Sequence, residues 1–218
     1  MCSIMKKLFI LSLLFLPVIS MAQSQWEAPQ KTESQQRKSL FEKDKSATNP
    51  KYLAGAVPEV DGKVTFTLDL DLPGKDAQQI YDIVYAVLER MTTGENQFKE
   101  SKIALVNKAE HVIAAKYREW LVFKSTALSL DRTVFNYTII ANCTDNHLNM
   151  TLSRISYAYE MDRPDTDGLE TRAEEWITDK EGLNKSKTKL SKISGKFRRK
   201  TIDRKDEIFA TITEALKR

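Results

Sequence analysis

The chain's clearest pattern is the alternation over residues 63–72, Lys-Val-Thr-Phe-Thr-Leu-Asp-Leu-Asp-Leu. Val64, Phe66, Leu68, Leu70 and Leu72 share one face, and Thr65, Thr67, Asp69 and Asp71 the other. A period of two predicts a half-buried antiparallel strand, opened by Gly62 and ended by Pro73-Gly74. Asp61-Gly62 before it signals a tight hairpin, with residues 56–60 as a short edge strand. After Pro73-Gly74 the period becomes helical. Ile80, Ile83, Val84, Val87, Leu88 and Met91 form one face of a helix over residues 77–91, with capping-box spacing at Asp76 and Gln79.

Four further strands are predicted, over residues 101–106, 111–123, 133–143 and 148–159. In the second, Ile113, Ala115, Tyr117, Leu121 and Phe123 share a face. In the third, Phe135, Tyr137, Ile139, Ala141 and Cys143 do. The fourth starts in one phase with Leu148, Met150 and Leu152 and resumes in the other with Ile155, Tyr157 and Tyr159. That slip near Ser153-Arg154 predicts a bulge. Residues 169–181 read as a short helix and 201–216 as a last one. Between them lies a basic stretch broken by Gly195. The expected order is β-α-β-β-β-β-α-α, an α+β fold with an antiparallel sheet and its helices on one face.

The beginning of the chain stands apart. Lys6-Lys7, a short apolar run to Leu16 and the small residues Ser20 and Ala22 read as a secretory signal over residues 1–22, cleaved after Ala22. Residues 23–51 are polar and read as a flexible tether, so residues 52–218 form a single domain with a C-terminal helical extension. Export implies a periplasmic or extracellular location. The formal charge of +4 falls to +2 once Lys6 and Lys7 leave, too small by itself to imply a polyanion. No nucleic-acid partner is expected, and nothing in the sequence fixes an oligomeric state. Cys143, alone after the signal, can form no internal disulfide and is expected to be a buried, inert thiol.

No residue cluster predicts catalysis, a metal or a cofactor. His111 and His147 lack ligand spacing, and no phosphate-binding loop or nucleophile motif is present. Asp69 and Asp71 share a strand face about 7 Å apart, the ordinary way to keep an exposed strand face soluble. Two roles, neither enzymatic, are expected. In one, the domain is an interaction module of the cell envelope, and Lys196, Arg198, Arg199 and Lys200 dock on an anionic surface or an envelope protein. In the other, it carries a small apolar ligand between the sheet and the last helix, lined by Tyr117, Leu121, Phe135, Tyr137, Tyr157 and Phe209.

Two segments carry a family resemblance. Val57-Pro58-Glu59-Val60-Asp61-Gly62-Lys63-Val64-Thr65-Phe66, followed by Leu72-Pro73-Gly74-Lys75 before Ile80-Tyr81, resembles the domain of unknown function DUF4468. So does Gly195-Lys196-Phe197-Arg198-Arg199-Lys200-Thr201-Ile202-Asp203. The resemblance spans roughly residues 56–216. It implies a TBP-like fold and an exported protein of Bacteroidota-type bacteria, and it implies no activity.

Overall fold

In the computed structural model, which describes residues 45–161 and 167–218, the alternating stretch lies at an edge of a six-stranded sheet. Two short strands precede it, β1 (Glu59–Val60) and β2 (Lys63–Val64), joined by Asp61 and Gly62 at φ 50° and 70°. Two positive φ angles are what a two-residue primed turn needs, and Gly and Asp tolerate them. The expected ten-residue strand is interrupted at Thr65, whose N–H turns back to the Pro58 carbonyl (3.1 Å) while the Val64 N–H donates to Glu174 (2.9 Å). β3 (Phe66–Asp71) follows. The alternation survives the break: Val64, Phe66 and Leu72 are buried, and Thr67, Asp69 and Asp71 are exposed.

Helix α1 (Ala77–Met91) has the expected bounds and cap. The Asp76 carboxylate accepts from the Gln79 N–H (2.8 Å), and the Gln79 side chain accepts from the Asp76 N–H (3.2 Å). Then come β4 (Lys102–Asn107), β5 (Val112–Thr126), β6 (Ser129–Thr144) and β7 (His147–Tyr159). The sheet runs β3-β7-β6-β5-β4, antiparallel throughout. β5 and β6 are longer than their patterns predict. Their shared tip, residues 124–130, is exposed on both faces, so no hydrophobic alternation marks it.

The predicted bulge is present. Thr138 pairs with Ser153 and Asn136 with Ser156, so Arg154 and Ile155 together oppose Tyr137, with Arg154 at φ 54°. This keeps Leu148, Met150 and Leu152, and then Ile155 and Tyr157, on the buried face.

Residues 169–181 differ from the expected helix. β8 (Leu169–Arg172) pairs with Ser156–Tyr159 of β7, where β3 no longer reaches, and only one helical turn follows, α2 (Ala173–Trp176). Unpaired strand backbone demands partners, and that demand overrides a weak apolar stripe. Helix α3 (Gly195–Lys217) starts six residues before the expected position. At Gly195 a β-carbon would stand 2.8 Å from Leu190 Cβ, so glycine permits the close approach that begins the helix.

The two long helices cover one face of the sheet. Tyr117 donates to the Leu88 carbonyl of α1 (2.8 Å), and Tyr157 bonds the Thr201 hydroxyl of α3 (2.7 Å). Both tyrosines point from the same sheet face, since Tyr117 pairs with Tyr137 and Tyr157 with Phe135. The core lies between: Ile80, Val84, Leu88, Ile139, Met150 and Ile212 are all buried. The α+β antiparallel architecture therefore stands, with β1 within the expected edge strand, the expected first strand split into β2 and β3, and one extra strand after β7.

The signal and residues 23–44 lie outside the described residues. Residues 45–51 were expected to continue the tether, but they pack on the domain. The Leu190 N–H bonds the Ala47 carbonyl (2.8 Å), and Lys51 reaches Asp203 and Asp206 of α3 (2.8 and 2.9 Å).

Candidate functional site

Two of the four cations expected to form a docking surface are used internally. Arg198 is fully buried rather than on the surface expected for it. Its guanidinium donates to the carbonyls of Tyr52 (2.6 Å), Leu53 (2.5 Å) and Ile177 (2.7 Å) and to Asp179 (2.7 Å). Desolvation there lowers its pKa, against the pull of Asp179. An arginine with its forks filled by main-chain oxygens is a clamp and cannot dock on an anionic surface. Lys196 pairs with Asp131 (2.9 Å) and lies 4.7 Å from the Phe123 ring centroid. Arg199 and Lys200 are half-exposed. The exposed cations of the region are Lys185, Lys187, Lys189 and Lys192, on the loop before α3.

The six residues expected to line a pocket mostly fill the core. The rings of Tyr117 and Tyr137 stack at 5.0 Å and those of Phe135 and Tyr157 at 5.7 Å, while Phe135 tilts against Tyr137 at 4.8 Å. Phe209 is half-buried beneath Lys205. The space between sheet and helix is taken by these side chains themselves, as dense packing of large rings requires. Among the six, only Leu121 borders the cleft of about 450 Å³ between the α1–β4 loop, β5 and α3.

That cleft holds a residue the apolar pattern passed over. Glu119 falls between Tyr117 and Leu121 in the buried phase of β5 and is buried. Its carboxylate accepts two bonds from Arg204 of α3 (2.8 and 2.9 Å) and one from the Gln97 side chain. A buried carboxylate needs such a partner. An acid in phase with an apolar strand face was the signal available in the sequence. Glu95, Lys200, Asp203 and Glu207 line the rest of the cleft.

The opposite face of the sheet bears different chemistry. Lys116 and Arg118 of β5 are exposed there, and Arg132 and Trp120 are half-exposed. The Arg132 guanidinium lies 3.7 Å from the Trp120 ring centroid. Phe98 tilts against Trp120 at 4.9 Å, with Arg118 over Phe98 at 5.2 Å. Two shallow depressions share Arg118. One, about 250 Å³, is bordered by Lys116, Asn136, Thr138 and the bulge residue Arg154. The other, about 280 Å³, is bordered by Trp120, Leu130, Arg132, Val134 and Met161. Glu100, Asp131 and Glu160 also border them, but Asp131 is already paired with Lys196.

The other sites considered resolve simply. His147 lies 3.1 Å from Asp71 and 3.4 Å from Asp69 on the outer face of the β3 edge. Among the described residues no group of three His, Cys, Asp or Glu side chains is placed to hold a metal. Cys143 is buried, and burial pushes its thiol up to about 12.

Comparison with known proteins follows the fold. The profile of a domain of unknown function, DUF4468, with TBP-like fold, matches residues 66–158. The chain is similar to a DUF4468 family protein from Bacteroides ovatus, solved by crystallography. The two are 41% identical, 80% of this chain and 95% of that one are covered, and the TM-score is 0.70. A TBP-like protein from Parabacteroides distasonis, 21% identical, covers 74% of this chain and 97% of its own with a TM-score of 0.59, a likeness of fold. No curated protein matches the chain.

Proposed function

The chain belongs to the DUF4468 family, and from that premise we propose that it is an exported, non-enzymatic binding module of the cell envelope that engages its partner through the sheet face opposite α1 and α3. The single observation behind this is the asymmetry of the sheet. One face is buried under α1 and α3; the other carries Lys116, Arg118, Trp120, Arg132 and Arg154 around two depressions. A sheet face with clustered cations and aromatics, and no helix over it among the described residues, is a surface suited to recognition. Export rests on the arrangement of Lys6-Lys7, the apolar run and Ser20-Met21-Ala22. Among the described residues no helix is long and apolar enough to cross a membrane.

The buried charges support a binding role by what they are already doing. Arg198 and the Glu119–Arg204 pair hold elements together. A photo-crosslinking amino acid introduced singly in the native host tests the proposal. At Lys116 or Asn142, exposed on the outer face, it should give discrete adducts. At Arg90 of α1 or Glu214 of α3, on the helical side, it should not. Adducts of the same pattern from both sides, or none from the sheet face, would refute it.

A further inference from the structure

We infer that the partner received on this sheet face is an acidic polypeptide segment with apolar side chains set among its carboxylates. The inference rests on the sheet being the binding face and adds the chemistry of what binds. Arg118, Arg132, Arg154 and Lys116 form no ion pair with a carboxylate among the described residues, although Glu100 and Glu160 border the same depressions, whereas Arg198 and Arg204 are each paired.

Two of the cations are held in place. The Arg132 guanidinium carbon lies 3.7 Å from the Trp120 ring centroid, Trp120 abuts Phe98, and Arg118 lies over Phe98. A guanidinium that rests on an aromatic ring keeps N–H donors for other partners. A planar fork already fixed in this way suits bidentate bonds to a carboxylate. Arg154 reaches the shared surface because the bulge places it at positive φ, outside the regular alternation of β7. Bulges re-aim side chains in this manner beside binding sites.

The apolar component selects a polypeptide. Leu130 and Met161 are 49% and 50% exposed and border the same depression as Arg118 and Arg132, with Val134 at its floor. A glycan acid or a phosphodiester strand brings carboxylates or phosphates but no aliphatic side chains for Leu130 and Met161. A polypeptide with Leu or Val between Glu or Asp residues satisfies both. Trp120 already has Arg132 over its ring and Phe98 tilted against it, which leaves it poorly placed to stack on a sugar or a base.

The experiment uses the mature chain and a fluorescein-labelled peptide alternating Glu and Leu, read by anisotropy at low and physiological salt. Binding should appear at low salt and weaken as screening rises. R118Q/R132Q/R154Q should weaken it tenfold or more. L130S/M161S should weaken binding of this peptide and leave that of an oligoglutamate of equal length unchanged. All five residues are at or near the surface, and thermal unfolding of each variant verifies its fold. No binding of the acidic peptide at low salt, or binding untouched by the arginine changes, would overturn the inference. So would tighter binding of polygalacturonate or of an oligothymidylate. If sheet-face adducts form in the host while the acidic peptide fails to bind, the partner chemistry is wrong and the binding face stands. If adducts are also missing, both fall.

Discussion

Phe66 and Thr67 are neighbours in β3 with opposite fates: one is buried and the other exposed. Phe66→Ala empties a buried aromatic site and should cost about 3–5 kcal/mol. Thr67→Ala should be near neutral by chemical denaturation, and equal losses at the two positions would contradict the facing. Cys143 makes a different prediction. An unfolded thiol titrates near about 8.5, whereas burial raises Cys143 to about 12. The folded state therefore keeps its proton longer. Stability tied to this thiol is whole below about pH 8.5 and is lost as pH rises toward 12. Buried Tyr117, Tyr137 and Tyr157 are raised in the same direction, also by burial. Labelling of native protein at pH 8 should be slow and become fast in denaturant; rapid native labelling would contradict the burial. These residues were legible because alternation alone fixes their facing. Arg198 was not. In the run Lys196–Lys200, five basic and aromatic residues, nothing marks the one cation that turns inward, because its partners are carbonyls of Tyr52, Leu53 and Ile177, distant in sequence.

At the scale of elements, β5 and α3 are tied by Glu119 and Arg204. Removing one partner strands the other. Arg204→Leu leaves Glu119, 3% exposed at its side chain, without its bidentate donor and should cost about 3–5 kcal/mol. Glu119→Gln with Arg204→Leu should recover much of that loss. A double-mutant cycle by denaturant unfolding measures the coupling, and additive effects would show that the pair does not act as a unit. Elements whose two faces differ were read correctly: α1 with its capping box, and β7 with its bulge. Where both faces meet the same surroundings the pattern fades, as at the exposed tip of β5 and β6. β8 was missed for another reason. Its four residues form a strand because the edge of β7 beyond Leu152 lacks a partner, a fact of topology that no local period records.

For the whole molecule, the sheet is the divide. Its helical side holds the core and most of the internal ion pairs, and the other side holds Lys116, Arg118, Arg132 and Arg154, which form no ion pair among the described residues. The fold class could be read from the sequence. The candidate face could not, since Lys116, Arg118, Arg132 and Arg154 come from three strands and are gathered by register. The basic loop with Lys185, Lys187 and Lys189 is the competing surface, conspicuous in composition and exposed. The central claim is that binding belongs to the sheet face. It is tested most directly by measuring retention of the mature protein on solubilised envelope from its native host for two charge reversals. R118E/R132E/R154E should abolish retention, while K185E/K187E/K189E should leave it within about twofold of wild type, as expected of charges outside the contact. Loss of retention with the loop variant and not with the sheet variant would contradict the account.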